Sequence, residues 1–166
     1  MKADKVYLVG FMGAGKSSVG RALGRRLGWQ FVDVDDLIEK REHASVSSVF
    51  AKRGEAYFRA VERTVLGELL ERRHAVVATG GGTFVDPQNR ALIHNDGASV
   101  WLDVPLERLI ARVPADGRRP LAADRAGFER LYTARRPAYA EAHRRIDAGR
   151  AGIEAIVDEI VDWLES

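Results

Sequence analysis

Cysteine is absent from the 166 residues. That excludes disulfides and thiolate metal sites, and it suits a reducing compartment. Long apolar runs are absent too, since no stretch nears the roughly 20 residues that a membrane-spanning helix needs. The first five residues lead straight into a short apolar run without a cleavage-site pattern, so no secretory leader is expected. A basic stripe with aromatic platforms is also missing. The net charge is only +2, and acidic and basic residues alternate along most of the chain, which argues against a nucleic-acid partner. With 46% hydrophobic and 30% charged residues, the expectation is a soluble, cytoplasmic, single-domain chain spanning residues 1–166, with neither membrane nor nucleic acid as partner.

What is present is an alternation of short apolar runs with longer helical patterns, the mark of an α/β fold with a parallel sheet. Residues 5–10 (KVYLVG) read as a strand buried on both faces. Val19, Ala22, Leu23 and Leu27 then recur at helical spacing, and Gly28 closes that helix. Residues 31–35 (FVDVD), 75–79 (AVVAT), 98–104 (ASVWLDV) and, more weakly, 145–149 read as further strands. Ser45 starts a short helical piece that ends near Gly54. The next helix carries Phe58, Val61, Val65 and Leu69 on one face. Asp86-Pro87 is a cap followed by a proline at the first helical position. A helix opens at Pro105 and runs to about Val113. Another is expected over 127–144 with a kink at Pro137, and a last one carries Ile153, Ile156, Val157, Ile160 and Leu164. Residues 114–126 hold two prolines, a glycine and several arginines, and read as a mobile surface loop.

The segment Gly10-Phe11-Met12-Gly13-Ala14-Gly15-Lys16-Ser17 fits G-x-x-x-x-G-K-[ST], a phosphate-binding loop. It begins at the end of a strand and opens a helix, where such a loop must sit. Glycines let successive N–H groups turn inward onto phosphate oxygens, and the helix N-terminus adds positive potential. Lys16 then reaches the β and γ phosphates of a nucleotide, and the Ser17 hydroxyl ligates Mg²⁺. Strand alternation places Asp33 and Asp35 on one side of the second strand. Two such carboxylates repel unless a cation or a hydroxyl substrate separates them; solvated turn aspartates are the alternative. Asp36 is a candidate cap for the segment that follows.

On the acceptor side, Arg59 and Glu62 lie three residues apart on a helix. They make either a surface ion pair or an arginine clamp on a substrate carboxylate, oriented by Glu62. Gly80-Gly81-Gly82 exceeds what a turn needs and allows a ligand close to bare backbone, unless it is only a loose loop. Arg118-Arg119-Pro120-Leu121 could close an arginine over the γ-phosphate. Arg135-Arg136-Pro137-x-Tyr139 is a further basic spot.

Taken in order and spacing, these marks resemble the shikimate kinase family over nearly the whole length: GFMGAGKSSVG (10–20), FVDVD (31–35), GEAYFRAVE (54–62), TGGG (79–82), RRPL (118–121) and RRPAY (135–139). The resemblance implies a three-layer sandwich of the P-loop, nucleoside-monophosphate-kinase-like type with five parallel strands. It also implies an acceptor-binding segment near 33–62 and a closing lid near 114–126. The implied reaction is transfer of the ATP γ-phosphate to the 3-hydroxyl of shikimate, with Mg²⁺ as cofactor and a monomer as the working unit. By the same resemblance Gly13, Ala14, Gly15, Lys16, Ser17 and Ser18 cradle phosphate. Ser17 and Asp33 serve the metal. Asp35 binds the acceptor hydroxyls and takes the proton. Arg59, Gly80, Gly81, Gly82 and Arg136 complete the acceptor pocket. Arg119 approaches ATP from the lid, and Arg112 faces the adenine. The segment 146–151 lacks the proline expected on the adenine side. A gluconate kinase of the same fold, or an ATP-binding module without catalysis, are the competing readings.

Overall fold

A computed structural model describes residues 1–112 and 125–166. Its five strands are β1 (Lys5–Val9), β2 (Gln30–Asp33), β3 (Ala75–Ala78), β4 (Ala98–Asp103) and β5 (Arg144–Asp147). All pair in parallel, in the order β2-β3-β1-β4-β5. Every residue of β1, β3 and β4 is buried, as continuous apolar runs in a parallel sheet require. The helices are α1 (Lys16–Leu27), α2 (Val34–Glu42), α3 (Val46–Leu69), α4 (Pro87–Asp96), α5 (Leu106–Arg112), α6 (Arg125–Tyr139) and α7 (Ile153–Glu165).

The topology decides where a ligand can bind. From central β1 the chain moves outward through α1 to β2, then reverses through α2 and α3 to β3. Right-handed crossovers place those two connections on opposite faces of the sheet. α7 returns to pack against α1, while α2 packs on α3. The crevice at the reversal, beyond the carboxyl ends of the strands, is the usual ligand position in such sheets. The loop after β1, the cap after β2 and the glycine run after β3 all lie there.

Several boundaries follow from local chemistry. Gly28 ends α1 in the left-handed conformation at φ 70°. Ser45 caps α3 by accepting from the Ser48 N–H at 3.1 Å. Gly54 interrupts α3 with non-helical φ 85° and ψ 170°, so the short piece that starts at Ser45 ends where expected. Asp86 caps α4 ahead of Pro87. Other expectations need correction. α6 runs two residues past Pro137 and stops at Tyr139, short of 144, because the chain must extend again for β5. Residues 113–124, which include Arg118, Arg119 and most of the expected lid, lie outside the described residues. Arg125 begins α6 and pairs with Glu107 at 2.8 Å.

At the opposite end of the sheet, Lys5 is wholly buried. It pairs with Asp96 at 2.7 Å and donates to the Leu69 carbonyl. Buried ammonium groups are tolerated only when paired in this way.

Candidate active site

The turn after β1 folds as its glycines demand. Gly13 and Gly15 take φ of 82° and 94°, a region that side chains with a Cβ avoid. α1 starts at the next residue and carries no acidic side chain in its first turn, so the positive end of its dipole stays uncompensated toward the loop. Ala14 is buried, and Ser18 is exposed in the first helical turn. Lys16 is almost buried and curls over its own loop, with Nζ donating to the carbonyls of Gly10 at 2.6 Å and Phe11 at 3.0 Å. At the other side of the loop, Arg112 donates to the Gly13 carbonyl at 3.1 Å.

Asp33 is the cap of α2. Its Oδ1 accepts from the N–H groups of Asp35 at 2.9 Å and Asp36 at 3.2 Å. Its Oδ2 accepts from the Ser17 hydroxyl at 2.7 Å. The expectation of two carboxylates on one face of a strand is therefore corrected. β2 ends at Asp33, and Asp35 belongs to the first turn of a helix. Asp36 is an exposed helical residue and caps nothing, because Asp33 already does so. The two aspartates still converge, by a cap and a helical turn instead of strand alternation.

Asp35 is the strained member of the site. Its Oδ1 is buried and accepts no hydrogen bond from the described residues. Burial, and then the charge of Asp33, push its pKa up to about 6, with Lys16 opposing the rise. It faces the glycine run: a Cβ on Gly80 would stand 2.9 Å from Asp35 Oδ1. A Cβ on Gly82 would stand 2.9 Å from the guanidinium carbon of Arg59, and one on Gly81 would stand 3.1 Å from Arg135 Nη1. The three glycines thus make room for the side chains of Asp35, Arg59 and Arg135.

Arg59 is held from behind. Its Nη1 donates to both oxygens of fully buried Glu62, at 3.0 and 3.2 Å. The guanidinium also lies 5.1 Å from the Phe58 ring and 5.9 Å from the Phe50 ring. The pair is no solvated surface bridge, since Glu62 is out of contact with water.

Arg136 does not reach this cleft. Its guanidinium binds Asp103 at 2.8 and 3.2 Å and donates to the Tyr132 hydroxyl at 2.7 Å, with the Trp101 ring at 4.9 Å. Asp103 also accepts from Arg145 at 2.7 Å, and the two arginines hold its carboxyl below the usual range against the opposing effect of burial. Arg135 occupies the place expected of Arg136. One residue apart means about 100° around a helix, and that rotation sets Arg135 beside Gly81, with its guanidinium 5.7 Å from the Phe11 ring. Tyr139, one turn on, donates to the Gly81 carbonyl at 2.5 Å. Burial raises its pKa to about 12, opposed by Arg135. Phe128, Arg135 and Tyr139 share one helical stripe, and both flanking aromatics are buried, but which stripe meets the glycine run is fixed only by how α6 is seated.

The Ser17 hydroxyl and the Asp33 carboxylate offer hard oxygen donors, the chemistry that suits a small divalent cation. Among the described residues no three His, Cys, Asp or Glu converge into a cage for a metal.

The sequence and the fold have counterparts in known proteins. A family model described as shikimate kinase matches residues 12–165. The chain belongs to the shikimate kinase family. The shikimate kinase of Persephonella marina is 40% identical over 157 residues, covering 94% of this chain and 96% of that one. A solved shikimate kinase from Acinetobacter baumannii, in complex with shikimate, superposes with a TM-score of 0.92 at 36% identity, covering 98% of this chain and 93% of the other. A deoxyadenosine kinase from M. mycoides with bound dATP aligns with a TM-score of 0.67 at 15% identity over 98% of this chain and 99% of its own, and that likeness speaks for the fold alone. Like other shikimate kinases, the chain is an ATP-dependent phosphotransferase acting on shikimate, and it uses a divalent cation.

Proposed function

We propose that this chain moves the γ-phosphoryl group of ATP to the 3-hydroxyl of shikimate, with the residues of the cleft in the following roles. The observation that carries the reading is Asp35: a buried carboxylate oxygen that accepts from no described residue, beside bare glycine backbone between a phosphate loop and two arginines. Such an atom is costly to maintain, and an acceptor hydroxyl is the partner that would satisfy it. Asp35 accepts the hydroxyl proton as the oxygen attacks phosphorus. The bond from the γ-phosphorus to the bridging oxygen breaks, and ADP leaves. Arg59 and Arg135 take the acceptor carboxylate from two sides of the glycine run, with Gly80, Gly81 and Gly82 forming the floor.

The N–H groups of residues 13–18 and the Lys16 ammonium hold the phosphates and offset charge on the group in transit. Ser17 and Asp33 are the residues that hold the cation, read here as Mg²⁺, which when bound spreads the charge of the β and γ phosphates. Arg119 is assigned to the lid side of the γ-phosphate and Arg112 to the nucleotide side of the loop. The working unit is read as a monomer in the cytoplasm, where ATP is supplied; among the described residues no helix is long and apolar enough to cross a membrane.

ADP release by purified protein with Mg²⁺-ATP, measured with shikimate, with gluconate and without acceptor, tests the proposal. Turnover that depends on shikimate supports it. Turnover with gluconate, or equal release without any acceptor, would overturn the acceptor assignment and leave the phosphate loop standing.

A further inference from the structure

The glutamate behind Arg59 is itself held by two side chains that the reaction does not touch. A buried carboxylate needs its lone pairs filled and its charge compensated. Arg59 approaches both oxygens of Glu62 through one nitrogen only, Nη1. Thr83 Oγ1 donates to Oε2 at 2.7 Å, and Asn89 Nδ2 donates to Oε1 at 3.4 Å. Asn89 Nδ2 also donates to the Thr83 carbonyl at 3.1 Å. Thr83 and Asn89 are both buried. Thr83 follows the glycine run directly, and its N–H donates to the Gly80 carbonyl at 3.3 Å. Asn89 sits in the first turn of α4, beside the cap Asp86, which pairs with Arg63 of α3 at 3.2 Å.

We propose that Thr83 and Asn89 are positioning residues for acceptor binding: they hold Glu62 so that Arg59 turns its outer nitrogen toward the acceptor. This rests on the reading of Arg59 given above. The physical reason is a division of donors. With Thr83 and Asn89 each serving one carboxylate oxygen, Arg59 needs a single nitrogen for Glu62. Its Nη2 then stays over Gly82, and no described residue accepts a hydrogen bond from it. Remove those donors and the favoured geometry becomes the two-nitrogen fork onto Glu62, which rotates Nη2 away from the acceptor. The arrangement also sets the glycine run and Arg59 in register, since Thr83 is bonded to both Gly80 and Glu62.

The test uses the full chain with Thr83→Val, which removes the hydroxyl at nearly constant shape, Thr83→Ser, which restores it, and Asn89→Leu. Shikimate affinity is read by calorimetry, alongside kcat and the KM for each substrate. Thr83→Val and Asn89→Leu should each raise the shikimate KM roughly tenfold, the effect of one hydrogen bond to a charged group, with kcat and the ATP KM held within about twofold. Thr83→Ser should return to the parent value. In an Arg59→Ala background, Thr83→Val should cost nothing further, because neighbours in one network do not add. Unchanged shikimate affinity in both single variants, with Arg59→Ala weakened, would overturn the proposal, as would an equal loss in kcat and both KM values. If Thr83→Val does not fold, Asn89→Leu alone decides. Normal shikimate binding by Arg59→Ala would instead overturn the clamp on which the proposal stands.

Discussion

Replacing Asp35 by Asn should stabilise the protein while disabling it. The perturbation is nearly isosteric; it removes the charge and turns one carboxylate oxygen into an amide donor. Asp35 titrates at about 6 against an ordinary value of 3.8, because burial and Asp33 disfavour its ionised form. The folded state therefore binds the proton more tightly than the unfolded chain. The Asp35 contribution is therefore most favourable at low pH and falls as pH rises from 3.8 through about 6. Above that window the cost is constant, about 3 kcal/mol for a shift of about two units. The Asn variant is neutral throughout, so it should exceed the parent by about 3 kcal/mol at pH 8, roughly 6–12 °C in Tm for a chain of this size, and by about half as much at pH 5. Denaturant midpoints at both pH values, in chelator and without nucleotide, measure the gap. Turnover should fall by about 10²–10⁴ as the proton acceptor is lost. An Asn variant no more stable than the parent at pH 8, or equally favoured at both pH values, would refute the argument that the site stores an unfavourable charge.

Four further outcomes follow from the structure. Arg135→Ala should raise the shikimate KM about 10- to 100-fold by removing a charge-assisted bond. Arg136→Ala should leave that KM within about twofold and lower Tm instead, since Asp103 loses a partner; steady-state kinetics and melting curves separate the two. Gly82→Ala drives a methyl group into the Arg59 guanidinium and should weaken shikimate roughly tenfold while the ATP KM holds, a split that substrate titrations read directly. His143 accepts the Ser99 N–H at its Nδ1 at 3.0 Å, and burial followed by His94 depresses its pKa below 6.5. Its contribution is thus fully present above pH 6.5 and lost as pH falls through the folded value. The stability gap between the parent and His143→Asn should narrow between pH 7.5 and 5, as denaturation midpoints will report.

Much of the fold was legible because its signals are local. The phosphate loop needs left-handed torsions at Gly13 and Gly15, and those residues, the buried run before them and the helix after them are contiguous. The caps at Ser45 and Asp86 and the stops at Gly28 and Gly54 are likewise choices between neighbouring residues. Asp33 was expected in a strand pleat, and the structure makes it a helix cap. A carboxylate at the end of a strand can continue the pleat or cap a helix, and the Asp35 and Asp36 N–H groups chose the cap.

By itself, then, the sequence determined the alternating parallel architecture, the phosphate loop with Lys16 and Ser17, the converging aspartates and the Arg59–Glu62 pair three residues apart. Only the tertiary structure decided which of two adjacent arginines lies beside Gly81, which side chains crowd the three glycines, and which side chains stand behind Glu62. Arg135 and Arg136 differ by a rotation about α6, and that rotation has meaning only once α6 is seated against Phe11 and the glycine run. Thr83 and Asn89 lie more than twenty positions from Glu62. No torsion preference links residues so far apart; the packing of α3 and α4 at the carboxyl edge of the sheet does.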